Sequence, residues 1–448
     1  MLKLSTWRTV VDSQQSGKFD AIVDAIPADF IRVLSSSRET MASALGLSSA
    51  DGGARLADRF GRVTPIIKAE IFAFNGETYV LSLRNRRSNA TAWSFSEDED
   101  GATQKEQSGI LFLHVLSGSR SKPDVSVFIE AVQQHAGADL RAWETRPRRF
   151  AELKQEGRQE SLSITPEKAK AARLLSDKER RILATAIKAA PGGLILSDVE
   201  RQLKRGKVTD IEATLLELQD ADLIDSEYVV VCAKNQHEVS RFSDASVMAE
   251  MSKYGVRCGC GRKIGDERLE EAVAITDLGR ELLDKSTWMS IMLMEELRDL
   301  GIPDDRIMIE YSSGGDEMDC IADINGQVIL FELKDKEFSL REAYSFGAKI
   351  GLVRPQYPVI VTTERVGGDA KDHFEKAELA GKRGQASLDP DDARPIRFIE
   401  GLENLRTQLD DLASTVYRHE AFKVLREVMP MASISPNHLL DGIAAGGH

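Results

Sequence analysis

Four cysteines in 448 residues are too few for the disulfide framework that holds small secreted proteins together. Three of them, Cys232, Cys258 and Cys260, fall within about thirty residues, a clustering that suits metal binding better than cross-linking. Apolar runs are short: Ile110 to Leu116 and Val328 to Phe331 stop far below the roughly 20 residues that span a bilayer. The opening Met-Leu-Lys-Leu-Ser-Thr-Trp has neither the apolar core nor the small-residue cleavage site of a secretory signal. Positive charge is also in deficit, with 59 Lys and Arg against 72 Asp and Glu and a net charge of -13. That disfavours avid, nonspecific binding to nucleic acid, although local basic clusters such as Arg84-Asn85-Arg86-Arg87 and Arg146-Pro147-Arg148-Arg149 are compatible with an acidic whole. No Walker motif, dinucleotide fingerprint or nucleophile elbow occurs, so ATP-driven and hydride chemistry have no visible basis. The expectation is a soluble, cytoplasmic protein without membrane partners. Its hydrophobic fraction of 42% and charged fraction of 29% are globular values, and its length calls for several domains.

Three stretches differ in texture. Residues 1–165 mix helix and strand patterns and read as an α+β domain with no chemistry-bearing motif. Strand-like Ile66–Phe74 and Thr78–Leu83 flank Asn75-Gly76, a dipeptide suited to a two-residue hairpin. Gly109–Leu116 reads as a strand, Val125–His135 as a helix, Ser96–Ser108 as an acidic loop, and Glu152–Lys170 as a linker.

Residues 166–285 begin with helical spacing through Ile182, Leu183, Ala186 and Ile187, ended by Pro191-Gly192-Gly193. Ser197 and Thr209 are placed to cap two further helices, and Tyr228–Cys232 reads as a strand. Ile275-Thr276-Asp277-Leu278-Gly279-Arg280 then leads into a closing helix. This order resembles a winged-helix domain, in which the third helix would read a DNA groove. Here that helix carries Asp210, Glu212, Glu217, Asp220 and Asp222 and no Lys or Arg, so a protein-contact or dimerisation role is expected instead. Cys232, His237, Cys258 and Cys260 lie inside it as a zinc-ribbon-like insertion. Three thiolates and an imidazole make a closed structural Zn²⁺ site, although Cys-x4-His with Cys-x-Cys departs from the usual paired Cys-x2-Cys. The alternative is three reduced cysteines and a surface histidine.

The chemistry concentrates in residues 286–448. Apolar strand patterns flank Asn325-Gly326, and a two-residue turn there makes Ile324 face Gln327. Counting back puts Asp319 opposite Glu332, with Lys334 on the same face and Phe331 and Leu333 on the other. Two carboxylates about 5 Å apart across a hairpin repel. A divalent cation turns that repulsion into attraction, and Mg²⁺ is typically held by one or two carboxylates. Lys334 can then orient or deprotonate a water, or neutralise charge on a phosphate.

Asp319 followed by Glu332-Leu333-Lys334 in an apolar strand resembles the PD-(D/E)xK, restriction-endonuclease-like superfamily. Thr287–Leu300 and Ser339–Ile350 as helices and Tyr357–Thr363 as a strand match its element order over about residues 287–365. The resemblance implies a Mg²⁺- or Mn²⁺-dependent endonuclease. Asp319 and Glu332 would hold metal, Lys334 would serve the attacking water, and Glu296 of the first helix would be an added catalytic carboxylate. Met318 stands where many members have proline. The implied partner is nucleic acid, DNA before RNA, with a homodimer or larger complex for double-strand cutting and antiviral defence as the setting. The competing reading is a non-catalytic regulatory or assembly protein with a nuclease-like domain. Leu402–Val416 and Ala421–Val428 read as two terminal helices, and His373 and His419 as surface residues.

Overall fold

A computed structural model describes residues 2–12, 16–44, 66–85, 108–119, 122–144, 147–159, 164–190, 192–202, 208–313, 315–384, 395–429 and 434–445. Residues 96–107 of the expected acidic loop, Arg86, Arg87, Arg146 and Pro191 lie outside them. The described residues form a multidomain α/β protein with three sheets. No described helix is long and apolar enough to cross a membrane.

The first sheet contains β1 (Lys3–Asp12), β2 (Ile31–Arg32), β3 (Ile66–Phe74), β4 (Glu77–Asn85), β5 (Ser108–Ser117) and β6 (Arg141–Trp143), ordered β2-β3-β4-β5-β1-β6. Every pair is antiparallel. Asn75 and Gly76 form the expected hairpin, both with positive φ, and Phe74 pairs with Glu77. Of α1 (Ser16–Ala25), α2 (Leu34–Ala44) and α3 (Ser126–Ala136), α1 and α3 bury one face, including Phe128 of α3, over Phe72, Tyr79 and Leu81 of the sheet.

The described residues of the expected linker are structured. α4 (Arg148–Glu156) buries Phe150 and Leu153, and β7 (Arg158–Gln159) pairs with a strand of the third sheet. Two apolar residues three apart suffice for one turn of core-facing helix, although the charged residues around them hide it. Gly157 follows because Tyr311 lies against it: a Cβ there would sit 2.2 Å from the ring.

The middle unit runs α5 (Pro166–Ser176), α6 (Lys178–Ala189), β8 (Leu194–Ile195), α7 (Leu196–Gln202), α8 (Ile211–Asp220), β9 (Ile224–Val231), β10 (Glu238–Phe242), α9 (Ser246–Lys253), β11 (Arg268–Ile275) and α10 (Asp277–Leu283), with sheet order β10-β9-β11-β8. Asp177 caps α6 through the Glu179 and Arg180 N–H groups, and Thr276 caps α10 through Gly279. Asp210, not Thr209, caps α8 by accepting from Ala213.

The third unit contains α11 (Thr287–Asp299), β12 (Ile307–Ser313), β13 (Asp316–Ile324), β14 (Gln327–Lys334), α12 (Leu340–Val353), β15 (Tyr357–Thr362), α13 (Gly368–Gly384) and β16 (Arg397–Glu400). Its sheet order is β16-β15-β14-β13-β12-β7. β12, β13 and β14 form an antiparallel meander, and β15 and β16 add in parallel after helical crossovers.

The two expected terminal helices, Leu402–Val416 and Ala421–Val428, are one continuous helix, α14 (Leu405–Val428), and a further helix, α15 (Pro436–Ala445), follows it. Leu405, Leu409, Leu412 and Val416 join the core beside the third sheet, whereas Ala421, Val424, Leu425 and Val428 cover Leu4, Ile71 and Val80 of the first. α14 therefore joins the two ends of the chain. Leu425→Ala should cost about 2–5 kcal/mol, read as a lower urea midpoint. A midpoint equal to wild type would mean that this end of α14 is not docked on the first sheet.

Candidate active site and metal cluster

β13 and β14 pair in the expected register, from Ile324–Gln327 to Cys320–Phe331, around left-handed Asn325 and Gly326. One step further, where Asp319 would face Glu332, the ladder gives way. The Asp319 carboxylate itself accepts the Leu333 N–H at 2.6 Å. The neighbouring strand explains the change. Glu310 in β12 is left-handed, with φ 47. Ile309 and Cys320 join one core, while their successors in the ladder, Tyr311 and Met318, join the other. Side-chain alternation thus slips by one residue in both strands together, in the manner of a bulge that re-aims a side chain.

Asp319, Glu332 and Lys334 are brought together. Glu332 is only 2% exposed. Its Oε1 lies 2.8 Å from Lys334 Nζ, and its Oε2 2.7 Å from Lys349 Nζ on α12. Lys334 also lies 4.0 Å from Asp319 Oδ2. Burial, and then the Glu332 charge, push the Asp319 carboxyl up to about 7. Burial alone would lower the Lys334 ammonium, but Asp319 and Glu332 outweigh it and hold it above the ordinary value.

Lys349 was not among the expected residues, yet its position carries a signal. It sits on the stripe of α12 that buries Ala343, Phe346 and Val353, where a lysine needs a charged partner. Glu296 is placed elsewhere: its Oε2 pairs with Arg406 of α14 at 3.0 Å, so it fastens α11 to α14 instead of joining Asp319 and Glu332. A cavity of about 640 Å³ opens beside Glu332, lined by five cations (Lys285, Lys334, Lys336, Arg341 and Lys349) against three carboxylates. A chain of net charge -13 thus presents a locally cationic hollow. At its edge Asp335 pairs with the buried Arg181 side chain of α6 at 2.8 Å, and that guanidinium lies over Trp288.

A second cluster lies in the middle unit. Cys232, Cys258, Cys260 and Glu267 place their ligand atoms within 4.8 Å of one another and can hold a metal ion. His237 does not join them. Its carbonyl accepts the Cys232 N–H at 2.9 Å while the residue is exposed, so the turn that points the sulfur inward leaves the imidazole outside. Buried Glu267 takes the fourth place, accepting from the Ala233 N–H at 2.6 Å and the Cys260 thiol at 3.2 Å. Those two contacts hold its carboxyl below the ordinary value. Burial raises Cys232, but the Asn235 and Lys234 N–H groups and the neighbouring thiols outweigh it and lower the thiol. The Arg262 N–H pulls Cys260 down, but Glu267 and the neighbouring sulfurs hold it at about 11. Glu267 was overlooked in the sequence because Asp266-Glu267-Arg268 reads as an ordinary solvated run.

No protein-family model and no curated protein matches the chain. Among solved structures, the crystal structure of protein VC1899 from Vibrio cholerae aligns with 63% of this chain at 12% identity and a TM-score of 0.31. The chain spans 64% of that protein, and a likeness at this level supports no inference about fold or activity.

Asp319 makes the metal-free protein pH-sensitive. Its folded-state pKa is raised to about 7, so between the ordinary carboxylate value and 7 the folded chain keeps a proton that the unfolded chain has lost. Stability therefore falls as pH rises through that window. Asp319→Asn removes the charge, so in EDTA its melting temperature should gain on wild type between about pH 4 and pH 8. A difference that stays constant across that range would contradict the assignment.

Proposed function

We propose that this protein is a divalent-metal-dependent phosphodiesterase acting on nucleic acid, with a restriction-endonuclease-like third unit. The observation that carries the proposal is a carboxylate pair, half-buried Asp319 and buried Glu332, of which Glu332 lines a cation-rich cavity. Asp319 is raised by burial and by Glu332, which is the response of a desolvated carboxyl beside a like charge. Two carboxylates are a donor set suited to Mg²⁺ or Mn²⁺. Such an ion supplies Lewis-acid charge to a phosphoryl group and eases ionisation of an attacking water.

The chain's own residues have separable roles in this reading. Lys334 stays an ammonium, since its pKa is raised. It is therefore a hydrogen-bond donor and a stabiliser of developing charge, not a general base. Lys349 grips Glu332 from α12 and fixes the carboxylate's direction. With all four groups ionised, Asp319, Glu332, Lys334 and Lys349 sum to zero. A divalent cation then brings two positive charges, which an anionic phosphodiester and a hydroxide nucleophile would balance.

In the same proposal α5 to α10 with the antiparallel pair β9 and β11 form a winged helix. Acidic α8 makes it a protein-contact module, and Glu217 is already engaged by Arg180 at 2.6 Å. Zn²⁺ is proposed in the Cys232, Cys258, Cys260 and Glu267 cluster, because three thiolates and one carboxylate suit a tetrahedral structural site. A role in genome defence rests on architectural analogy alone.

Purified protein should cut plasmid, single-stranded DNA or RNA with Mg²⁺ or Mn²⁺ and not with EDTA. Asp319→Ala and Lys334→Ala should abolish cutting, and Lys349→Met should slow it by roughly 10–100-fold. Folded protein that cuts nothing, or cuts equally well as Asp319→Ala, would favour the non-catalytic reading. Elemental analysis checks the second site: about one zinc per chain in wild type and His237→Ala, and little in Cys258→Ser. Zinc lost from His237→Ala but kept in Glu267→Ala would reverse the ligand assignment.

A further inference from the structure

We propose that the site accepts its substrate as an unpaired polynucleotide strand, with a phosphate held by Arg341 and Ser345 and a nucleobase stacked on Tyr344. This rests on the phosphodiesterase reading but names the form of nucleic acid. The starting point is which cavity groups are already satisfied. Glu332 holds Lys334 and Lys349, Glu342 holds Lys336 at 2.8 Å, and Glu317 holds Lys285 at 3.3 Å. Arg341 lines the same cavity and, among the described residues, has no ion pair or hydrogen bond. The Ser345 hydroxyl also lines it and is unpartnered in the same sense.

Helix geometry orders these groups. Arg341, Ser345 and Lys349 are spaced i, i+4 and i+8 along α12, so they form one line leading to Glu332. A guanidinium fork and a hydroxyl one turn apart suit the non-bridging oxygens of a phosphodiester. Lying on the approach to Glu332, they would hold a phosphate neighbouring the one that reacts.

Tyr344, three residues beyond Arg341, supplies the second half of the argument. It is 62% exposed in a chain with only 6% aromatic residues. Its ring is 4.5 Å from His373 of α13, which backs it from one side. Exposed Gly347, Ala348 and Gly351 adjoin it on the same helix, and a Cβ at either glycine would meet nothing within 4 Å. Tyr344 is therefore an exposed ring less than one helical turn from an unpaired guanidinium. A flat base could lie there only if it were not already stacked within a duplex, because ring-on-base stacking needs a free base face.

Binding and cutting can be separated by working in the full-length chain carrying Asp319→Asn. Fluorescence anisotropy would compare labelled single-stranded DNA, single-stranded RNA and duplex DNA in EDTA. At least one single strand should bind more tightly than the duplex, and the two single-strand arms tell DNA from RNA. Adding Tyr344→Ala should weaken single-strand binding about tenfold, while Tyr344→Phe should retain it. Adding Arg341→Ala should weaken binding and reduce the slope of log affinity against log salt by about 0.7. Tighter binding of duplex, single-strand affinity indifferent to Tyr344→Ala and Arg341→Ala, or no binding to any of the three would overturn the proposal. If strand binding depends on both residues while wild type cuts nothing, strand recognition stands and the phosphodiesterase reading fails. If wild type cuts but neither substitution alters binding, the reverse holds.

Discussion

Glu332 is a carboxylate almost wholly removed from water, and the surrounding structure must answer its charge. An unpaired ionised carboxylate in such a position would be strongly unfavourable. Lys334, two residues along the same strand, takes one oxygen, and Lys349, reaching from α12, takes the other. The packing of α12 over the sheet is thereby tied to the charge state of one strand residue. Asp319 is the group left in excess: it lies 4.0 Å from Lys334 and takes a backbone N–H from Leu333. Burial and the neighbouring Glu332 carboxylate disfavour an ionised Asp319, and a proton or a bound cation relieves that penalty, which is why we assign it a metal-dependent role.

The rest of the chain converges on these strands. β7, from the segment after the first sheet, becomes the edge strand beside β12. Arg306, buried near the start of β12, joins Glu144 beyond β6 to Asp323 of β13, and Asp323 in turn accepts the Gly326 N–H of the hairpin turn. From the other side, Arg181 of the middle unit holds Asp335, the residue after Lys334, while its guanidinium also donates to the Leu175 and Ser176 carbonyls at the end of α5. A movement of the middle unit would therefore act on the residue next to the proposed catalytic lysine. α14 completes the frame by burying one half against each of two cores.

What could be read from the sequence follows a physical rule. Asn325-Gly326 defines a turn, and the turn defines a register, so Asp319, Glu332 and Lys334 could be grouped without a structure. The register holds up to the slip at Glu310, which no local pattern announced. Contacts that depend on distant elements were not legible. Lys349 reaches Glu332 across a helix-to-strand packing contact, and Glu296 is drawn to Arg406 more than a hundred positions away. His237 lies five residues from Cys232, which suggests a ligand, but nearness in sequence does not tell which way a tight turn points its side chain. Glu267 stands in a charged run of the sequence, and only the fold brings its carboxylate among the thiols. Phe150 and Leu153 were too sparse to mark a core helix amid charged neighbours.

The most direct test of the central claim is Mn²⁺ binding to the wild type and to Asp319→Ala, read by electron paramagnetic resonance. Prior occupation of the cysteine cluster with zinc confines the signal to the carboxylate site. The account predicts Mn²⁺ bound by wild type, displaced by excess Mg²⁺, and lost from the variant. Binding that survives Asp319→Ala unchanged, or no binding by folded wild type, would contradict it.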